Sequence, residues 1–267
     1  MKNLLNRYRY SVILLRQLVK TDFKLRYQGS ALGYIWSLLR PFALFVILYF
    51  VFAKFLKIGE SIPNFPVYLL LGIILWNYFA EVTTGSVGAI VGRGDLLRKI
   101  NFPKYVIVLA SSISALINLL LNFVVVAAFL VINHIDISPI AATTLLLIGE
   151  LFVFSLALAF FLSAVFVRFR DVSFIWEVIM QGAFYLTPIL YPLSLLPEKA
   201  AKILMLNPMA QIIQDVRYVL VTDKSQTISG VYNSHLIRAV PIGATILLAV
   251  VAAIYFKKRS RYFAEDV

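Results

Sequence analysis

The chain has 267 residues, of which 61% are hydrophobic and 14% charged, against roughly 45–50% apolar and about 25% charged in ordinary globular proteins. So little polar surface cannot coat a water-exposed body, which excludes a soluble domain and leaves an integral membrane protein. An excess of 25 Lys and Arg over 13 Asp and Glu gives a net charge of +12, which in such a protein belongs on cytoplasmic loops and at anionic headgroups rather than on nucleic acid.

Residues 2–24 open the chain as an amphipathic helix lying on the membrane, because charges interrupt every apolar run. At about 100° per residue, Lys2, Arg9, Arg16, Lys20 and Lys24 share one face, and Leu4, Tyr8, Val12, Leu15 and Val19 share the next. No short apolar core with a small-residue cleavage site marks a secretory signal. Residues 1–31 are therefore assigned to a cytoplasmic interfacial segment and 32–267 to a membrane domain. Spanning helices need about twenty apolar residues, and six candidates lie near 32–57, 65–90, 104–132, 139–167, 172–191 and 237–256. Between the last two, Pro197 is placed at the start of one short helix, and Asn207-Pro208 separates it from a second carrying Ile212, Ile213, Val216 and Leu220. Neither is long enough to cross, so the pair reads as a re-entrant or interfacial hairpin. The expected fold is an all-α integral membrane protein with six transmembrane helices. Eighteen basic residues fall on one side of these spans and seven on the other, which puts both termini in the cytoplasm.

The sequence contains no G-x-x-x-x-G-K-[ST] phosphate loop, so nucleotide hydrolysis is not assigned to this chain. The absence of cysteine excludes disulfides, thiolate metal sites and a Cys nucleophile. His134 and His235 fall in separate outer loops, so no metal site and no catalytic residue is expected. Glu81, Glu150 and Glu177 lie within or beside spans, where an ionisable group is costly; positions toward span ends favour snorkelling or a hydrogen bond to a neighbouring helix. In the segment from Gly94 to Pro103, apolar Leu96, Leu97 and Ile100 alternate with basic Arg98 and Lys99 ahead of Phe102. That pattern suits either a short helix docking on a soluble partner or a basic turn serving topology. Arg168, Phe169, Arg170 and Asp171 form a tighter loop, with Asp171 placed to cap the fifth span. Phe42, Phe45, Tyr49 and Phe52 recur at spacings of three, four and three, on one helical face. Together with Phe184, Tyr185 and Tyr191 they would offer stacking surfaces to a sugar chain, the alternative being a face toward lipid or a second copy.

Four stretches in order resemble the polysaccharide-export permeases of type 2 ATP-binding-cassette transporters, which serve O-antigen, wall teichoic acid and capsule export. They are Asp22 to Tyr27 with Ser30, Leu32 to Trp36 and Pro41; Leu97, Lys99, Phe102 and Pro103; Arg170-Asp171-Val172 through Gln181, Phe184, Tyr185, Thr187-Pro188-Ile189 and Tyr191; and Asn207-Pro208 with Arg217. The resemblance implies a homodimer in the bacterial cytoplasmic membrane, with two copies of a separate ATPase that holds ATP and Mg2+. It implies docking of that ATPase on Leu96, Leu97, Arg98, Lys99, Ile100, Phe102 and Pro103. The implied substrate is a glycan on undecaprenyl diphosphate, moved outward, for which Arg26, Arg40, Arg168 and Arg170, with Asp171, would form a cytoplasmic entrance. Tyr27 to Ala31 lacks the paired Asn of teichoic acid exporters, which tilts the expected cargo toward O-antigen. A type 2 drug or haem exporter shares the topology without these stretches, and a membrane glycosyltransferase would need clustered outer acids, whereas Glu198, Asp215 and Asp223 are scattered among lysines.

Overall fold

The computed structural model describes residues 2–26, 29–30, 32–99, 102–136 and 138–263. All regular structure among them is helical. In chain order the elements are α1 (Lys2–Arg26), α2 (Trp36–Tyr49), α3 (Phe65–Val87), α4 (Gly94–Lys99), α5 (Tyr105–Ile132), α6 (Thr144–Phe166), α7 (Val172–Leu186), α8 (Glu198–Met205), α9 (Pro208–Leu220), α10 (Ile228–Tyr232) and α11 (Ala239–Arg259). A π-helical stretch, Phe50–Phe55, prolongs α2.

Among the described residues, five helical stretches are long and apolar enough to cross a membrane: Gly33–Phe55, Phe65–Val87, Tyr105–Ile132, Pro139–Phe166 and Leu236–Arg259. The expected fifth span near 172–191 differs. Its helix, α7, has 15 residues, or about 22 Å of rise, short of a hydrocarbon core of about 30 Å. Pro188 is the reason: it excludes helical geometry at the residue before it, and Thr187 is extended with ψ 136°.

One end of the bundle gathers α1, α4 and the C-terminal residues, and the other, the far end, gathers α8, α9 and α10. α3 sits at the centre, packed on α2, α5, α6, α7 and α9 and buried along most of its length. At the terminal end α1 packs on α5, with Leu14 against the core and Arg16, Lys20 and Lys24 exposed. Asp22 of α1 pairs with Arg93, just before α4, and Lys104 Nζ donates to Ser260 O at 2.9 Å. Because the Asp22 pair is only partly shielded from solvent, Asp22→Asn should cost about 1 kcal/mol or less, lowering the unfolding midpoint by about 2–4 °C. The exchange of Asp22→Arg with Arg93→Asp should restore it in detergent melts.

At the far end the two expected short helices are present, the first starting at Glu198, one residue after Pro197. Exposed Lys202 lies 2.5 Å from the Glu198 carboxylate and holds that carboxyl below its usual range. Asn207 Oδ1 accepts from Met209 N at 3.0 Å, capping α9, and Pro208 takes the first helical position, where no N–H is needed. α9 then enters the bundle against α3, α6 and α11, buried from Pro208 through Arg217.

Arg217 holds this entry in place. It is 0% exposed. Its Nε donates to Tyr68 O at 3.0 Å, Nη1 to Pro188 O at 2.6 Å and Nη2 to Ile189 O at 2.6 Å. The break that ends α7 frees two of these carbonyls, those of Pro188 and Ile189, inside the protein, and a planar guanidinium is the side chain whose donors fan out widely enough to meet both and the α3 carbonyl of Tyr68 as well. Its Cζ lies 3.5 Å from the centroid of the Tyr68 ring, a cation–π contact. Gly72 leaves the space, since a Cβ there would stand 2.4 Å from Arg217 Nη2.

Candidate functional site

A cavity of about 770 Å³ lies among α2, α3 and α5, toward the terminal end. Its walls are unusually polar for apolar helices. α3 contributes Asn77, Tyr78, Glu81 and Thr84, α5 contributes Asn118 and Asn122, and α2 contributes Trp36, Ser37 and Arg40. Asn77 and Glu81 are four residues apart on α3, as are Asn118 and Asn122 on α5, so each pair presents one face and the two faces meet. Asn118 Nδ2 donates to Glu81 Oε1 at 3.1 Å, and Asn122 Nδ2 donates to Asn118 O at 2.8 Å and Ser37 O at 3.3 Å. Asn118 Oδ1 and Tyr78 Oη are buried with no hydrogen-bond partner, and both residues line the cavity.

Polar groups at membrane depth are retained where they face a pathway or a cavity. Here Asn118 offers an acceptor, Tyr78 a hydroxyl, Glu81 a carboxylate and exposed Arg40 a guanidinium fork, beside the half-exposed indole of Trp36. That set can exchange hydrogen bonds with hydroxyls, pack a ring against a sugar's C–H face, and meet phosphate at Arg40.

The residues singled out in the sequence are spread more widely than expected. Phe42 and Phe45 pack on Phe129 of α5, Tyr49 packs on Phe65 of α3, and Phe45 is 4% exposed. Phe52 is half-buried against the same core. Within the chain this stripe is helix-packing surface, and Phe45→Ala would cost about 3–5 kcal/mol as a core truncation. Phe184 packs edge-on against Trp76, Tyr185 is exposed, and Tyr191 Oη donates to Leu186 O at 2.9 Å, closing the end of α7. Of the proposed entrance, Arg40 lines the polar cavity. Arg168 instead lines a separate one of about 420 Å³ with Arg259 and Tyr262. Arg170 is exposed beside the Phe166 ring, and the Arg26 side chain lies outside the described residues. Asp171 occupies the expected position before α7, but its side chain makes no capping bond. In the docking segment α4 is helical as expected. Leu97 and Phe102 are buried in the core, Leu96 and Pro103 are half-buried, and Arg98 and Lys99 are exposed. Ile100 lies outside the described residues. Leu97 and Phe102 thus pack on the chain's own bundle, which leaves Leu96, Arg98 and Lys99 as the accessible part of the expected docking segment.

Asn77, Asn118, Asn122 and Ser37 escaped the sequence reading. Their signal was the four-residue repeat of amides inside otherwise apolar spans, which pairs with Glu81 only once α3 and α5 are known to touch.

The ABC-2 type transporter family matches residues 13–221, and the chain belongs to this family. It is 30% identical to the O-antigen export system permease protein RfbA of Myxococcus xanthus, over 97% of each chain. It is also 30% identical to the protein of the same name from Klebsiella pneumoniae, over 96% of this chain and 95% of that one. The polysialic acid transport protein KpsM of Escherichia coli is 24% identical over 72% of this chain and 75% of its own.

Proposed function

We propose that the chain is the membrane subunit of an ATP-driven exporter that moves a lipid-linked polysaccharide of the O-antigen class from the cytoplasmic to the outer leaflet. The observation that carries this reading is the likeness, along nearly the whole length of both chains, to an O-antigen export permease. The polar cavity supports it, because hydroxyl-matching amides, a carboxylate and an arginine at one mouth suit a hydrated glycan bearing diphosphate. The more distant KpsM likeness makes a capsule-type polysaccharide the second reading.

In this reading two copies of the chain assemble in the bacterial inner membrane with two copies of a separate ATPase, and both termini are cytoplasmic. α7, followed by a turn over residues 187–190, makes a short sixth crossing. Exposed Arg98 and Lys99 of α4, with Asp95 beside them, face the ATPase, and Arg168 and Arg170 attract the lipid diphosphate. Deleting the gene in its own host should leave glycan on undecaprenyl diphosphate inside the cell and strip it from the surface. Complementation should need both this chain and the ATPase. Unchanged surface polysaccharide in the deletion strain would overturn the assignment.

A further inference from the structure

A second cavity, of about 610 Å³, opens at the far end among α6, α9, α10 and α11. It belongs neither to the polar groove nor to the Arg217 anchor. Its walls are apolar: Leu146, Val153, Ile242 and Ile246 line it, and Leu146 and Ile246 are 75% and 57% exposed on the flank of helices that pack side by side. An opening bounded by exposed aliphatic side chains of two spanning helices faces acyl chains, so the cavity fills from the bilayer.

Its polar part is specific. Arg238 and His235 are exposed at the rim. Arg238 Nη2 donates to the fully buried Asp215 at 2.5 Å and keeps its remaining donors. Deeper in, Glu150 Oε1 is buried without a hydrogen-bond partner, and so is the Oγ1 of Thr245, which is 3% exposed. Both residues line the cavity. Asp215 already offsets the Arg238 charge, so the cavity offers a net anionic occupant no surplus guanidinium. The Glu150 carboxyl has Gln211 beside it but keeps Oε1 unmet, and that oxygen accepts from a donor that a quaternary ammonium lacks and a primary ammonium has.

We propose that this cavity binds one membrane lipid whose headgroup carries both a phosphate and a primary ammonium, the phosphatidylethanolamine class. The phosphate meets Arg238 and His235, the ammonium reaches the Glu150 and Thr245 oxygens, and an acyl chain lies along Leu146 and Ile246. This site is independent of the export assignment, since it concerns a resident lipid and is read without transport.

The full-length chain, reconstituted in vesicles of phosphatidylethanolamine, phosphatidylglycerol and phosphatidylcholine in equal parts, tests it by native mass spectrometry after gentle extraction. The expected result is one phosphatidylethanolamine per chain, retained about tenfold above the other two, the worth of a hydrogen bond to a charged group. Glu150→Gln should bring its retention down to that of phosphatidylcholine. Thr245→Val, which keeps the side-chain shape and serves if the first variant does not fold, should lower it about three- to tenfold. Retention in bulk proportions by the wild-type chain, a preference for phosphatidylglycerol, or undiminished phosphatidylethanolamine in a folded variant would each overturn the proposal.

Discussion

Arg217→Met is expected to lower the unfolding midpoint of the detergent-solubilised chain by roughly 4–8 °C, with a matching fall in monodisperse yield. The buried carbonyls of Pro188 and Ile189 lose their donors at once, and the Tyr68 carbonyl, inside α3, loses a second one. Each unmet buried group costs about 1–3 kcal/mol, so about 2 kcal/mol is a lower bound, and each kcal/mol is worth about 2–4 °C in a chain of this size. Arg217→Lys should recover only part of the loss, because an ammonium has no planar fork to reach carbonyls on two separate elements. Gly72→Ala should act through the other side of the same contact, by pushing a Cβ to 2.4 Å from Nη2. A wild-type melt for Arg217→Met would show that those carbonyls find other donors and that α9 does not depend on the anchor.

If the groove is part of the path, Asn118→Leu is expected to reduce surface polysaccharide by about tenfold, with a stability loss of about 1–3 kcal/mol. The change removes an acceptor and a donor from a residue that lines the cavity, the donor being the one to Glu81. One lost hydrogen bond to a passing substrate is worth about 1.4 kcal/mol, a tenfold change in rate. Because leucine is also larger than asparagine, the melt and the protein level are read beside export in this variant. Glu81→Gln, which keeps the shape and loses the charge, distinguishes a hydrogen-bonding role from an electrostatic one. Full surface polysaccharide at normal protein level in Asn118→Leu would remove the groove from the path.

Composition and periodicity made the membrane class, the short helices after Pro197 and Asn207, and a helical start legible. These depend on local rules, namely runs of apolar residues and proline's missing N–H. What was hidden depends on which helices touch. Phe42, Phe45, Tyr49 and Phe52 do share a helical face, but periodicity states only that a face exists. Phe129 and Phe65 occupy it, and they lie on other helices. For Glu81 the expected hydrogen bond to a neighbouring helix is present, from Asn118, but which helix and which residue would supply it could not be read before α3 and α5 were seen to touch. Glu150 likewise faces α9, where Gln211 stands beside its carboxyl. The early end of α7 was readable at Thr187-Pro188, where the apolar run continues but the helix cannot.

The three carbonyls that converge on Arg217 are made well before their donor. Ile189 and Pro188 precede it by 28 and 29 residues, and Tyr68 by 149. While the chain is being synthesised, the Pro188 and Ile189 carbonyls therefore precede the side chain that meets them in the finished fold. Their burial waits for α9, so an element near the end of the polypeptide completes the packing around helices laid down first. A chain stopped before residue 217 would lack the donor for both carbonyls and would differ from the finished bundle at that point.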